Sequence, residues 1–220
     1  MDDGNGNGRR NIMFAFIGVV IVAIVAATSL RDAEEGSTVE DVLADRDAAL
    51  ASEYAPMYGD AGAKVHLVEF LDPACEACAL FYPMVKNWMS QVPGEIRLSV
   101  RHVPFHKGAD YAVQVLEASR KQGKYWETLE ALLATQSEWT QNHVVIAERI
   151  APAIASVGLD MEKLEADMNS IEVMRNMEQD RKDAVFLKIS KTPTYFVNGR
   201  PLPSFGPEQL AALIREELEK

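Results

Sequence analysis

Cysteine is nearly absent from this chain: only two occur among 220 residues, at positions 75 and 78. A small exported protein stapled by disulfides carries more of them, spread along its length, so that class is excluded. Basic residues are also in short supply. Lys and Arg number 22 against 33 Asp and Glu, for a net charge of −11. A nucleic-acid binder needs a basic surface to meet phosphates, so no such partner is expected. There is no internal repeat and no long low-complexity tract. His66, His102, His106 and His143 are scattered, and each reads as structural or exposed rather than catalytic. The remainder, 48% hydrophobic and 25% charged, has the proportions of an ordinary globular domain.

One long apolar run stands out, from Ile12 to Leu30. As a helix it would rise about 28 Å, close to the hydrocarbon thickness of a bilayer. Arg9 and Arg10 precede it, which favours a cytoplasmic N-terminus. A signal peptide cut after Val25 and Ala27 is the rival, but the run exceeds a usual signal core of about 7–15 residues. The expected layout is a cytoplasmic tail (1–11), a single-pass transmembrane anchor (12–30), a linker with a helix (31–55) and a folded domain (56–220). Under either reading the folded domain lies on the extracytoplasmic, periplasmic side, where disulfides persist.

Within the linker, Ser37 and Glu40 form a capping box that opens a helix over 38–53. Residues 56–62 read as a turn, with Pro56, Gly59, Asp60 and Gly62. Lys64–Leu71 has the apolar, β-branched character of a buried strand, broken by Asp72-Pro73. A helix follows from Cys75 to about Ser90, then a strand over 95–103. Strand, helix and strand in that order predict a parallel βαβ unit. Helical patterns fill 108–122, 124–137, 142–157, 160–168 and 171–187. Strand signal returns at 194–197, Asn198-Gly199 marks a hairpin turn, and Pro207 opens a last helix. The fold class is therefore α/β, a sheet domain interrupted by a helical insertion over about 105–188. Trp88, Trp126 and Trp139 read as packing residues, and Met161, Met168, Met174 and Met177 as core.

Cys75-Glu76-Ala77-Cys78 sits where a buried strand meets a helix. Unpaired N–H groups and the helix dipole stabilise negative charge there, so the first cysteine can ionise near neutral pH. The thiolate is the nucleophile of disulfide exchange. The spacing puts both sulfurs on one turn, Cys75 outward to attack and Cys78 inward to resolve. Two alternatives accompany this reading. A structural disulfide across a two-residue loop would constrain almost nothing. A metal site, as in an envelope metal-binding protein or copper chaperone, would use the thiolates with His102 and His106, though the gap from Cys78 is long for zinc.

A second motif joins the first. Thr192-Pro193-Thr194 precedes the strand-like Tyr195-Phe196-Val197. With the cysteine pair, this resembles the thioredoxin superfamily, and more closely its DsbA-like branch with a helical insertion, over about Pro56 to Lys220. The resemblance implies a thioredoxin fold and a thiol–disulfide oxidoreductase. It makes Pro193 a cis proline facing the sulfurs and gives Thr192 and Pro193 to substrate binding. It makes Glu69 a buried proton relay for Cys78. Pro83 matches a helix-kinking proline of that family. The implied partners are unfolded or cysteine-containing exported proteins and a membrane redox partner, with no cofactor and no metal. Glu76 departs from the pattern of the strongly oxidising members. Its carboxylate opposes the thiolate, which predicts a weaker oxidant, and Thr192 is a choice common in the isomerase branches. The direction of exchange stays open on sequence alone.

Overall fold

The structure, a computed structural model, describes residues 39–220. The expected tail and apolar anchor lie outside the described residues, as do residues 31–38 of the linker, with the Ser37 cap. Among the described residues no helix is long and apolar enough to cross a membrane. Among the described residues, Asp45 to Lys220 form a compact unit. The first helix is α1 (Val39–Leu50).

The compact unit opens at Asp45 and so takes in residues ahead of Pro56. The reason is packing: Leu50 is buried against Val68, Phe70 and Phe196, and the Arg46 guanidinium donates to the Gly199 carbonyl at 2.6 Å. Two strands follow, β1 (Met57–Tyr58) and β2 (Val65–Leu71). Helix α2 (Glu76–Gln91) then crosses over to β3 (Ile96–His102). The expected βαβ unit is present, since β2 and β3 pair in parallel from Val65 opposite Ile96 to Leu71 opposite His102. Near the C-terminus come β6 (Thr194–Val197), β7 (Arg200–Pro201) and the closing helix, in which Pro207 occupies the first turn. The sheet order is β1-β3-β2-β6-β7, with β6 antiparallel to β2.

Strand β2 lies in the middle and is covered on both faces, which is why its sequence is almost continuously apolar. Val65, Leu67 and Leu71 join the core built with α2, whereas Val68 and Phe70 join the smaller core on the other face. Side chains alternate along a strand, so Glu69 belongs to the α2 face with the cysteines. Burial of one Leu- or Phe-sized side chain contributes about 1.5–3 kcal/mol, and these two clusters carry most of the fold's apolar burial.

The insertion contains α3 (Ala109–Arg120), α4 (Tyr125–Ala134), α5 (Gln136–Trp139), α6 (Ile150–Ala153), α7 (Met161–Met168) and α8 (Ile171–Phe186). Asp160 and Ser170 cap α7 and α8 through their side-chain oxygens. The helix expected over 142–157 is not one helix. A small hairpin, β4 (Thr140–Gln141) and β5 (Val144–Val145), occupies its start. Asn142 and His143 take φ of 51° and 62°, the left-handed pair that a two-residue hairpin requires. Two 3₁₀ turns flank the four-residue α6, and Pro152 removes a helical donor there.

The stretch read as a turn at 56–62 contains β1, which pairs antiparallel with β3. Gly59 follows it at φ 102°, and a Cβ there would lie 2.7 Å from the Ile96 carbonyl oxygen, so only glycine fits the close approach. Trp139 is wholly buried, with its indole N–H on the Leu132 carbonyl. Met168 is core, but Met161 and Met174 are exposed at 43% and 58%, contrary to their expected burial. Helical spacing identified a face in each case; only tertiary packing decides whether anything covers it.

The insertion is tied to the sheet by a polar network. Arg101 of β3 is wholly buried, with Nε 2.5 Å from Asp180 and Nη2 2.5 Å from Asp183, both on α8. Asp180 also accepts from the His102 N–H at 2.8 Å and from the Tyr54 hydroxyl at 2.6 Å. A buried ion pair adds little net stability, but removing one partner leaves a charge unpaired.

Candidate active site

Residue 75 is the N-cap of α2, with extended backbone at φ −83° and ψ 120°. Its side chain therefore stands over the unpaired N–H groups of the first helical turn. The usual cap is an oxygen acceptor. The Cys75 sulfur makes no side-chain cap hydrogen bond, but it lies in the field of the Ala77 and Cys78 N–H groups, which favour its negative charge. Cys78, one turn on, is wholly buried, and both cysteines are reduced.

The two sulfurs have opposite acidities. Cys75 is pulled from 9.0 down to about 5, first by a hydrogen bond from the Cys78 thiol. Burial opposes this, while the Thr192 side chain and the two helix N–H groups reinforce it. Burial pushes Cys78 well above the usual thiol value, and the Cys75 hydrogen bond and the Glu69 charge push in the same direction. This division separates an ionised outer sulfur from a protonated inner one.

Thr192 and Pro193 lie across from Cys75, and the Thr192–Pro193 peptide bond is cis. As a thiol, Cys75 donates to the Thr192 carbonyl at 3.3 Å. Residues more than a hundred positions apart are brought together because β6 pairs with β2, whose C-terminal end leads into α2.

Glu69 is wholly buried in β2. Burial raises its carboxyl from 4.5 to about 8, against the hydrogen bond from the Tyr195 hydroxyl at 2.9 Å. Its second oxygen, Oε2, has no partner. Such a carboxyl is neutral near pH 7 and can hold a proton beside the sulfurs.

Two supporting residues carry no sequence signal of their own. Asp72 is wholly buried. One of its oxygens accepts from the Ala74 N–H at 2.8 Å; the other accepts from the Phe105 and His106 N–H groups, both at 2.8 Å. It fastens the turn before Cys75 to the loop after β3, although the sequence marked it only as a strand breaker. Gln136 donates from Nε2 to the carbonyls of Pro73, at 2.7 Å, and Cys75, at 3.0 Å. The helical insertion thereby holds the same turn.

Pro83 lies inside α2, as the resemblance implied. His102 is buried on Tyr125, so it does not join His106 in a site with the cysteines. The Glu76 carboxylate turns toward the His143 imidazole, with Oε1 3.0 Å from Nδ1. The expected opposition of Glu76 does not keep Cys75 at a high value, because the hydrogen bond from Cys78 and the other donors on the sulfur outweigh it.

A sequence model of the thioredoxin family matches residues 51–216. The chain belongs to the thioredoxin family. A thioredoxin-like oxidoreductase from Silicibacter pomeroyi DSS-3 is similar in structure, with a TM-score of 0.68 and 28% identity, covering 80% of this chain and 98% of that one. Oxidised BdbD from Bacillus subtilis gives a TM-score of 0.66 and 25% identity, covering 76% and 94% respectively. These neighbours put the thioredoxin-family chain among the DsbA-like thiol–disulfide oxidoreductases. Among curated proteins, the Na(+)/H(+) antiporter NhaA of Herminiimonas arsenicoxydans is 32% identical over 144 residues, 66% of this chain. The chain spans only 22% of that protein's length.

Proposed function

We propose that this oxidoreductase donates its Cys75–Cys78 disulfide to cysteine-containing exported proteins. The observation that carries this reading is the divided pair: an acidic Cys75 at a helix N-terminus against Thr192-Pro193, and a buried Cys78 that resists ionisation. A stabilised Cys75 thiolate favours the reduced pair, which makes the disulfide a stronger oxidant.

In the forward reaction a substrate thiolate attacks the Cys75 sulfur, the more accessible of the two. The Cys75–Cys78 bond breaks and a mixed disulfide forms. Cys78 leaves, and its high proton affinity draws a proton from the neutral carboxyl of Glu69. A second substrate thiolate then attacks the substrate sulfur of the mixed disulfide and expels Cys75 as a stable thiolate. The substrate has lost two electrons and gained a disulfide, while the pair holds two electrons as the Cys75 thiolate and the Cys78 thiol, and Glu69 regains its proton from solvent. The Thr192-Pro193 backbone supports the substrate's extended chain beside Cys75, and exposed Phe105 and Phe205 offer apolar contacts for unfolded segments.

A membrane redox partner that accepts two electrons would restore the disulfide. In this reading residues 12–30 anchor the enzyme to the membrane, with residues 56–220 on the extracytoplasmic side.

The test is the reduction potential of the full chain in glutathione buffers. A value well above about −200 mV is expected; one near the roughly −270 mV of a reducing thioredoxin would overturn the oxidising direction. In parallel, the Cys78→Ser variant should capture disulfide-bearing substrate proteins covalently on Cys75. A variant that only loses bound copper would instead favour the metal-carrier alternative.

A further inference from the structure

Glu76, His106 and His143 come from three separate segments: the first turn of α2, the loop after β3 and the β4–β5 turn. One donor atom from each lies within 4.8 Å of the other two. The imidazoles of His106 and His143 stack with centroids 5.7 Å apart, and His143 Nδ1 lies 3.0 Å from Glu76 Oε1.

The cluster is supported from behind. His106 Nδ1 meets Asp72 Oδ2 at 2.7 Å, and the same oxygen accepts the His106 backbone N–H. That bond fixes the ring and leaves Nε2 as the nitrogen open to a ligand. A carboxylate behind an imidazole is the arrangement that orients a metal-bound histidine. His143 is delivered by a left-handed backbone at φ 62°, uncommon for a non-glycine residue. The exposed side chains of Glu76 and His143 can rotate to close the remaining distance.

We propose that Glu76, His106 and His143 bind a divalent ion of borderline softness, Zn²⁺, at the mouth of the cysteine pair. Two imidazoles and one carboxylate form a known three-ligand set for this ion, with the fourth position left to water. The site uses neither sulfur and stands independently of the direction of exchange.

The experiment uses the oxidised full chain, in which Cys75 and Cys78 are tied up as a disulfide. After EDTA treatment and removal of the chelator, Zn²⁺ is titrated against a chromogenic indicator. One equivalent per chain should bind, and Glu76→Gln and His143→Ala should each weaken binding by about tenfold or more. Both side chains are exposed, so neither substitution threatens the core. His106→Gln should abolish binding. Three outcomes would overturn the assignment: no saturable uptake by the oxidised chain, uptake only after reduction, or uptake unchanged in the Glu76 and His143 variants.

Discussion

Replacing Cys78 by Ala removes the thiol that donates to Cys75, the largest of the influences holding that sulfur at about 5. A hydrogen bond to a charged acceptor contributes about 1.5–3 kcal/mol. One pH unit corresponds to about 1.4 kcal/mol, so the Cys75 midpoint should rise by roughly one to two pH units. The other donors remain: the Thr192 side chain and the N–H groups of residues 77 and 78. Cys78→Ser is the control, since a hydroxyl in the same buried position still donates and should leave the midpoint close to that of the parent chain. The assay is ultraviolet thiolate absorbance of the reduced protein against pH in EDTA, cross-checked by alkylation rates. If the Ala and Ser variants titrate together at the parent midpoint, Cys78 does not set the acidity of Cys75.

The same depression has a stability consequence with a definite sign. The folded Cys75 value lies below its unfolded value of 9.0, so ionisation stabilises the reduced fold. That stabilisation is complete above pH 9 and disappears as pH falls through about 5. At pH 7 it amounts to at most roughly 3 kcal/mol, and less once solvent screening at this half-buried sulfur is counted. The disulfide form has no thiolate and no such contribution. The couple is therefore more oxidising than one with an unperturbed Cys75. Denaturation of reduced and oxidised protein between pH 4 and 8 measures this directly: the reduced form should gain relative stability as pH rises.

Glu69→Gln should stabilise the fold increasingly as pH rises from 4.5 to about 8, because the parent carboxyl resists ionising in the folded state. The gain at pH 7 is roughly 3 kcal/mol by linkage, read by urea denaturation across that range, and a pH-independent difference would refute the raised value. Arg101→Leu strands Asp180 in the core and should cost about 3–5 kcal/mol, visible as a lower denaturant midpoint without loss of thiol reactivity in the molecules that stay folded. Gln136→Leu leaves the Pro73 carbonyl without this donor and should cost about 1–3 kcal/mol; calorimetry that finds no change would show that the Gln136 bonds are not holding the turn.

Much of this arrangement was legible beforehand. The strand at 65–71, the helix that Cys75 opens and the strand at 194–197 each follow from local apolar pattern and turn chemistry. The hairpin at 140–145 was not legible, since its apolar residues fit a helical spacing as readily as a strand and only the left-handed Asn142 and His143 separate the two. The exposure of Met174 was equally hidden, because periodicity marks a face without saying what covers it.

By itself, the sequence determined the redox-capable pair and its place at a helix start, because each depends on residues adjacent in the chain; that Pro193 faces the pair was implied only by the family resemblance. Only the tertiary structure decided how that pair is tuned. The shielding of Cys78, the raised carboxyl of Glu69, the grip of Asp72 and Gln136 on the turn, and the meeting of Glu76 with two distant histidines all arise from contacts across the fold. Acidity depends on solvent and on neighbouring donors, and neither exists for a side chain until the sheet and the insertion have closed around it.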